Sequence, residues 1–208
     1  MLENLSHRVA SLRRQLRLAQ RHLRYGLPGW PYDRRAARAE ALATLFHIVN
    51  THLRTLGGDY WITYGTLLGW HREGTILAHD TDVDFGAPVD RYEEIRASRH
   101  RLPDEFTLRD TSHLHGGPKL CIDYRGWEAD IYFFSEDARQ LRVHLRSDVL
   151  SDSLPLPREW IFPTESVLFL GATTSVPARP LPYLVHMYGY IGRDAVRDPV
   201  TGYFRPRS

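Results

Sequence analysis

The sequence predicts an α/β (α+β) domain, a mixed β-sheet flanked by helices and preceded by an N-terminal helical arm. Three observations point there. Residues 5–23 and 41–53 repeat apolar side chains three or four apart, the period of a helix buried along one stripe. From Asp80 to Phe85 carboxylates alternate with Thr, Val and Phe, the period of a strand with two unlike faces. In the second half, short apolar and β-branched runs are separated by Gly-containing turns, which suits antiparallel neighbours.

In the arm, Leu5, Val9, Leu12, Leu16, Ala19 and Leu23 form one apolar seam. Arg8, Arg13, Arg14, Arg17, Arg21 and Arg24 occupy much of the remaining surface, and Glu3 is the only acid. Such a helix suits packing on its own domain or self-association, and alternatively peripheral contact with an anionic membrane surface. Gly26-Leu-Pro-Gly-Trp-Pro31 breaks it, because proline lacks an N–H and disfavours helix before itself. This sets a boundary between an arm, residues 1–30, and a main domain, residues 31–208.

The next helix runs from Asp33, a plausible N-cap, to about Leu56. Its apolar face is Ala41, Leu42, Leu45, Phe46, Val49 and Leu53, and Gly57-Gly58 closes it. Asp59–Thr63 is aromatic and β-branched, a strand. Gly65-Thr66 interrupts it, and Leu67, Leu68 and Trp70 follow as a short helix. After the Asp80–Phe85 strand come a helix over 89–96, a strand over 106–109, a Gly116-Gly117-Pro118 turn and a strand over 119–124. Gly126-Trp127 leads into a strand over 130–134, and 141–145 continues the sheet. Residues 151–182 are rich in proline and read as irregular, a lid or acceptor wall.

Composition bounds the function. A formal charge of +2 over 208 residues is too small to argue for nucleic acid. Cys121 is the only cysteine, so no internal disulfide or cysteine-based zinc site forms, and in its apolar strand it reads as core. No 18-residue apolar run or secretory pattern is present. The expectation is a reducing cytoplasm, with membrane association through the arm as the alternative.

The chemistry lies between Tyr64 and Pro88. On a strand, Asp80, Asp82 and Asp84 share one face about 6.6 Å apart. Like charges that close repel unless a cation sits between them, and hard carboxylate oxygens suit Mg²⁺, with Mn²⁺ as the alternative ion. A solvated acidic loop is the competing reading, but a loop has no reason to alternate carboxylate with Val83 and Phe85. An EF-hand is excluded by the missing glycine at loop position six and the missing closing glutamate. Upstream, a strand ending in Gly65-Thr66 at a helix start offers unpaired backbone N–H groups and a positive dipole end. Arg72 follows, a residue suited to a phosphate fork. Gly65, Thr66 and Arg72 are therefore candidate phosphate-binding residues.

Gly65-Thr-Leu-Leu-Gly-x-x-Arg72 followed by Asp80-x-Asp82-x-Asp84 resembles the signature of the LicD and fukutin-related phosphotransferases, within the polymerase-β-like nucleotidyltransferase superfamily. Glu128-Ala-Asp130-Ile-Tyr-Phe-Phe134 is similar to the family's later carboxylate-bearing strand, and Pro182–Gly189 to its closing helix. The resemblance covers about residues 58–192. It departs at Ala78-His79, where Pro-Trp is usual, and at Trp70-His71, where small residues are usual. It implies a nucleotidyltransferase-like fold for the catalytic domain, with Asp82, Asp84 and Asp130 as catalytic residues. Asp82 and Asp84 would hold the metal, and Asp80 would support them or bind a second ion. Asp130 would complete the metal site or act as general base; by itself it reads as a charge at a strand edge. The implied reaction moves phosphocholine or an alditol phosphate from a CDP-linked donor (a CDP-alcohol) to a hydroxyl acceptor, a carbohydrate, with release of CMP. One alternative is nucleotidyl transfer from an NTP with release of pyrophosphate. The other is a non-catalytic nucleotide-binding scaffold. Lys119, a lone lysine, reads as a surface residue, with a phosphate contact as the alternative; Trp61, Tyr64 and Trp70 read as packing, with base stacking as the alternative.

Overall fold

Six apolar positions of one helix decide where the sheet lies. In the computed structural model, which describes residues 34–144, 154–198 and 203–207, helix α1 (Arg34–Leu56) buries Ala41, Leu42, Leu45, Phe46, Val49 and Leu53. These are the residues its periodicity singles out. Each of the buried Leu, Val and Phe side chains among them contributes about 1.5–3 kcal/mol of transfer free energy. The arm, residues 1–30, and the Asp33 cap lie outside the described residues.

The sheet under α1 contains β1 (Trp61–Ile62), β2 (Asp82–Pro88), β3 (Phe106–Asp110), β4 (Lys119–Tyr124) and β5 (Trp127–Asp137), in the order β1-β2-β5-β4-β3. Strands β6 (Gln140–Val143) and β7 (Leu156–Pro157) continue it from the far end of β5. Only β2 and β5 run parallel; every other pair is antiparallel. The fold is thus the mixed, helix-flanked sheet expected.

Alternation divides each strand. Val83, Phe85, Ala129, Ile131, Phe133, Leu120 and Ile122 are wholly buried, and Phe85 stacks on Phe46 of α1 with ring centres 6.2 Å apart. The residues between them point to the opposite face. At one end of that face Trp61 packs on Phe134 and Phe162. At the other end stand the acids.

Helix α2 (Tyr64–Glu73) follows β1 directly, and after β2 a short 3-10 turn leads into α3 (Tyr92–Ala97). Two expectations need correction. Strand β2 begins at Asp82, so Asp80 precedes it. The Asp80 N–H closes a turn onto the Leu77 carbonyl at 3.0 Å, and pairing with β5 starts only at Asp82, opposite Glu128. Of the segment 151–182, the described residues 154–182 are also not irregular. They hold α4 (Arg158–Ile161) and a hairpin of β8 (Glu165–Phe169) with β9 (Ala172–Val176), followed by the start of α5 (Pro180–Tyr188). The two-residue loop, Leu170 (φ 49°) and Gly171 (φ 79°), has the left-handed geometry that matches strand twist. Leucine in its first place hides the signal that Asn-Gly would send. Asn50 joins the hairpin to α1: it donates to the Thr173 carbonyl at 2.9 Å and accepts from the Tyr60 hydroxyl at 2.7 Å. Among the described residues no helix is long and apolar enough to cross a membrane.

Candidate active site

The parallel pairing of β2 and β5 sets Asp84 beside Asp130 and Asp82 beside Glu128. Since residues two apart share a face, Asp82, Asp84 and Asp130 converge, each offering an oxygen within 4.8 Å of the others. Asp130 therefore lies mid-strand inside the cluster, not at an exposed edge. Asp84 is buried, and its carboxyl is held well above the usual range, first by burial and then by Asp82 and Asp130; Lys119 opposes the rise. Three hard oxygen donors crowded in this way fit a divalent cation, which would relieve the repulsion.

Asp80 stands apart from the three converging oxygens. It is 14% exposed, and its carboxyl is pushed up to about 6, mainly by burial and further by Asp82, against the opposing pull of His79. It covers Gly65, where a Cβ would sit 3.2 Å from both carboxylate oxygens. A side chain there would press on Asp80, which would have to give by a few tenths of an ångström.

Thr63 caps α2 from an extended conformation, and its hydroxyl meets the Tyr183 hydroxyl of α5 at 2.5 Å. The closing helix is thereby tied to the strand–helix turn. Tyr64 then takes φ 45°, a strained value for a tyrosine, and packs its ring at a tilt of 58° against Tyr132 of β5, with ring centres 4.7 Å apart. Gly65 and Thr66 lie in the first turn of α2, where N–H groups lack intrahelical acceptors. The Thr66 hydroxyl is buried and accepts the Asp84 N–H at 2.8 Å. It locks helix to strand through one lone pair of its oxygen. Arg72 lies two turns along the helix; its Nε is buried with no hydrogen-bond partner among the described residues, and its carbonyl accepts from Arg193 at 3.3 Å.

Lys119 is the residue that sequence reasoning missed. It is 6% exposed, not a surface residue, and its Nζ donates to Asp130 Oδ2 at 2.8 Å. The Tyr132 hydroxyl reaches the same oxygen at 3.3 Å. A signal existed, since Lys119, Cys121 and Asp123 alternate with Leu120, Ile122 and Tyr124. What it lacked was the register that lays Cys121 against Asp130 and Lys119 against Tyr132. Cys121 is buried, with its thiol pushed up chiefly by burial, which accords with a core role. His113 and His115 fall on a four-residue helix, and the only metal-sized acid or histidine cluster among the described residues is the aspartate trio.

Residues 57–179 match the model of the LicD/FKTN/FKRP nucleotidyltransferase domain, more than half of the chain. The protein belongs to that family. The matched family domain is of the nucleotidyltransferase type, in keeping with the mixed, helix-flanked sheet. Similar proteins include the ribitol-5-phosphate transferase FKTN of Macaca fascicularis, 25% identical over 153 residues, and that of Homo sapiens, 24% identical over 153. Each match covers 70% of this chain and 32% of the relative, so the chain spans about a third of the length of these relatives. Among solved structures, the antibiotic-resistance factor ANT(2'')-Ia is 14% identical with a TM-score of 0.45, covering 68% of this chain and 69% of the other. The lincosamide antibiotic adenylyltransferase LnuA is 10% identical with a TM-score of 0.43, covering 76% and 89%.

Proposed function

We propose that this chain transfers an alditol phosphate or a similar phosphate-linked group from a CDP-linked donor to a hydroxyl of a glycan acceptor, releasing CMP. Asp82, Asp84 and Asp130 would hold Mg²⁺ or Mn²⁺. The observation that carries the reading is the convergence of three carboxylates beside the N-terminus of α2 in a chain of this family. A bound cation would supply charge neutralisation for the donor phosphate; in the transfer the P–O bond to the CMP leaving group breaks, the acceptor oxygen bonds to phosphorus, and the hydroxyl proton passes to the released phosphate or to water. The chain's own residues position the reactants. First-turn N–H groups of Gly65 and Thr66 face the phosphate, and the unpartnered Nε of Arg72 is a second donor for it. Asp80 flanks the same seat and limits its width. Thr66, through the Asp84 N–H, keeps seat and carboxylates in fixed relation. The setting we propose is the cytoplasm, with the basic arm in self-association or at a membrane surface.

The test is a thermal-shift and product assay on the purified chain. CDP-ribitol or CDP-choline should raise the melting temperature only with Mg²⁺ present, and CMP should appear once a hydroxyl acceptor is added. Stabilisation by an NTP with release of pyrophosphate, and none by CDP-alcohols, would replace this reading with nucleotidyl transfer. Full transferase activity in the Asp82→Asn/Asp84→Asn variant would overturn the metal role, whereas metal-independent nucleotide binding with no CMP release would leave a scaffold.

A further inference from the structure

Asp130 does not present two equal oxygens. Oδ2 accepts from the Lys119 ammonium at 2.8 Å and from the Tyr132 hydroxyl at 3.3 Å, and the ammonium also lies 4.6 Å from the centre of the Tyr132 ring. Lys119 is nearly wholly buried, so its charge is screened little by water and is set by the packing of β4 on β5. Two donors use the hydrogen-bonding capacity of Oδ2 in the directions they occupy, and Oδ1 is the oxygen left to a cation. In paired-metal sites the ions sit about 3.5–4 Å apart and share carboxylates. Here a second ion reached through Oδ2 would collide with an ammonium already in that place. The neighbouring acid Glu128 has a partner in Arg109, at 2.7 Å.

We propose that Lys119 is a built-in cation of the metal site: it takes the place of a second metal ion at Asp130, so that the chain alone binds one divalent ion, through Asp82, Asp84 and Asp130 Oδ1. This rests on the metal-site reading above. Asp130 then serves as a one-oxygen ligand and not as general base toward the acceptor, because the oxygen it would use is committed to Lys119 and Tyr132. Lys119 is a positioning residue, acting through Asp130.

Mn²⁺ titration of the purified full chain, followed by electron paramagnetic resonance without nucleotide, tests this apart from activity. The wild type should bind one Mn²⁺ per chain and lose it in Asp84→Asn. Lys119→Met should bind Mn²⁺ about tenfold more tightly, because a nearby positive charge is gone, and should take up a second equivalent. Lys119→Arg keeps the charge and should stay at one. Near-UV circular dichroism checks that each variant is folded, and the wild-type stoichiometry needs no variant. Two ions in the wild type would overturn the proposal. So would unchanged or weaker binding by Lys119→Met; a residue that only orients its ligand costs about 10–100-fold in affinity on removal. No Mn²⁺ binding by the wild type, or binding that persists in Asp84→Asn, would instead overturn the metal site itself.

Discussion

The two faces of one sheet, only a side chain apart, follow opposite rules. Against α1, Val83, Phe85, Ala129 and Ile131 are wholly buried and hold the domain together by apolar burial. On the reverse of the same two strands, Asp82, Asp84 and Asp130 crowd three carboxylates that repel one another. The first face is bound to stabilise the fold; the second costs stability in the absence of a cation. The difference teaches that the site is carried by a scaffold stiff enough to keep like charges together, with the pleat turning one continuous backbone to both tasks.

The sharpest way to break this contrast is to substitute neighbours on β2. Asp84→Asn should lower transferase activity roughly a thousandfold, since charge neutralisation by a cation is worth several kcal/mol. Its melting temperature without metal should hold or rise, because a buried, repelled carboxyl has gone. Phe85→Ala, one residue on, should do the reverse in kind. It should cost about 3–5 kcal/mol in urea denaturation, from lost burial and a cavity under Phe46.

Acidity should separate the faces as well. Asp80 has its folded carboxyl at about 6 against an ordinary value of 3.8. Between those values the folded state keeps a proton that the unfolded state has lost, so stability falls as pH rises, by roughly 3 kcal/mol in all. His52 on α1 behaves oppositely. Burial and then nearby Arg101 lower it below its ordinary 6.5, with its ring nitrogen 2.8 Å from the Ser98 hydroxyl. Its contribution is present above 6.5 and is lost as pH falls toward its folded value. Urea midpoints at pH 4.5 and 7.5 should therefore show Asp80→Asn stabilising chiefly at the higher pH. His52→Gln should flatten the loss on acidification. Equal effects of Asp80→Asn at both values would show that Asp80 is not held in its raised state.

The smallest effect concerns the joint between the faces. Thr66→Val leaves the buried Asp84 N–H without its acceptor and should cost about 1–3 kcal/mol, while Thr66→Ser should recover most of it. Loss of activity beyond loss of stability in Thr66→Val would measure how far the carboxylates depend on α2 for their placement.

Much was legible from local pattern. The buried stripe of α1 follows from its 3.6-residue period, the span of β4 from its alternation, and the pairing of Asp82 with Asp84 from the two-residue period of a strand. The failures share a cause. Asp80 was placed on the strand because its spacing fits, yet a turn closed by the Leu77 carbonyl keeps it outside. The β8–β9 hairpin escaped because a leucine fills a left-handed turn position, a choice allowed by surrounding packing and not by local preference. Lys119 looked solitary because a strand's own sequence does not say which strand lies beside it.

The order of residues by itself determined which side chains share a face, where helices and strands arise, and that acids of one kind recur beside a phosphate-suited turn. Those are consequences of backbone periodicity and reach only a few residues. Only the tertiary structure decided that β5 runs parallel to β2 in a register joining Asp130 to Asp84, and that β4 brings an ammonium to the same oxygen. Such pairings span some 10 to 50 residues of chain, and their register is chosen by whichever arrangement buries the apolar set of every strand at once.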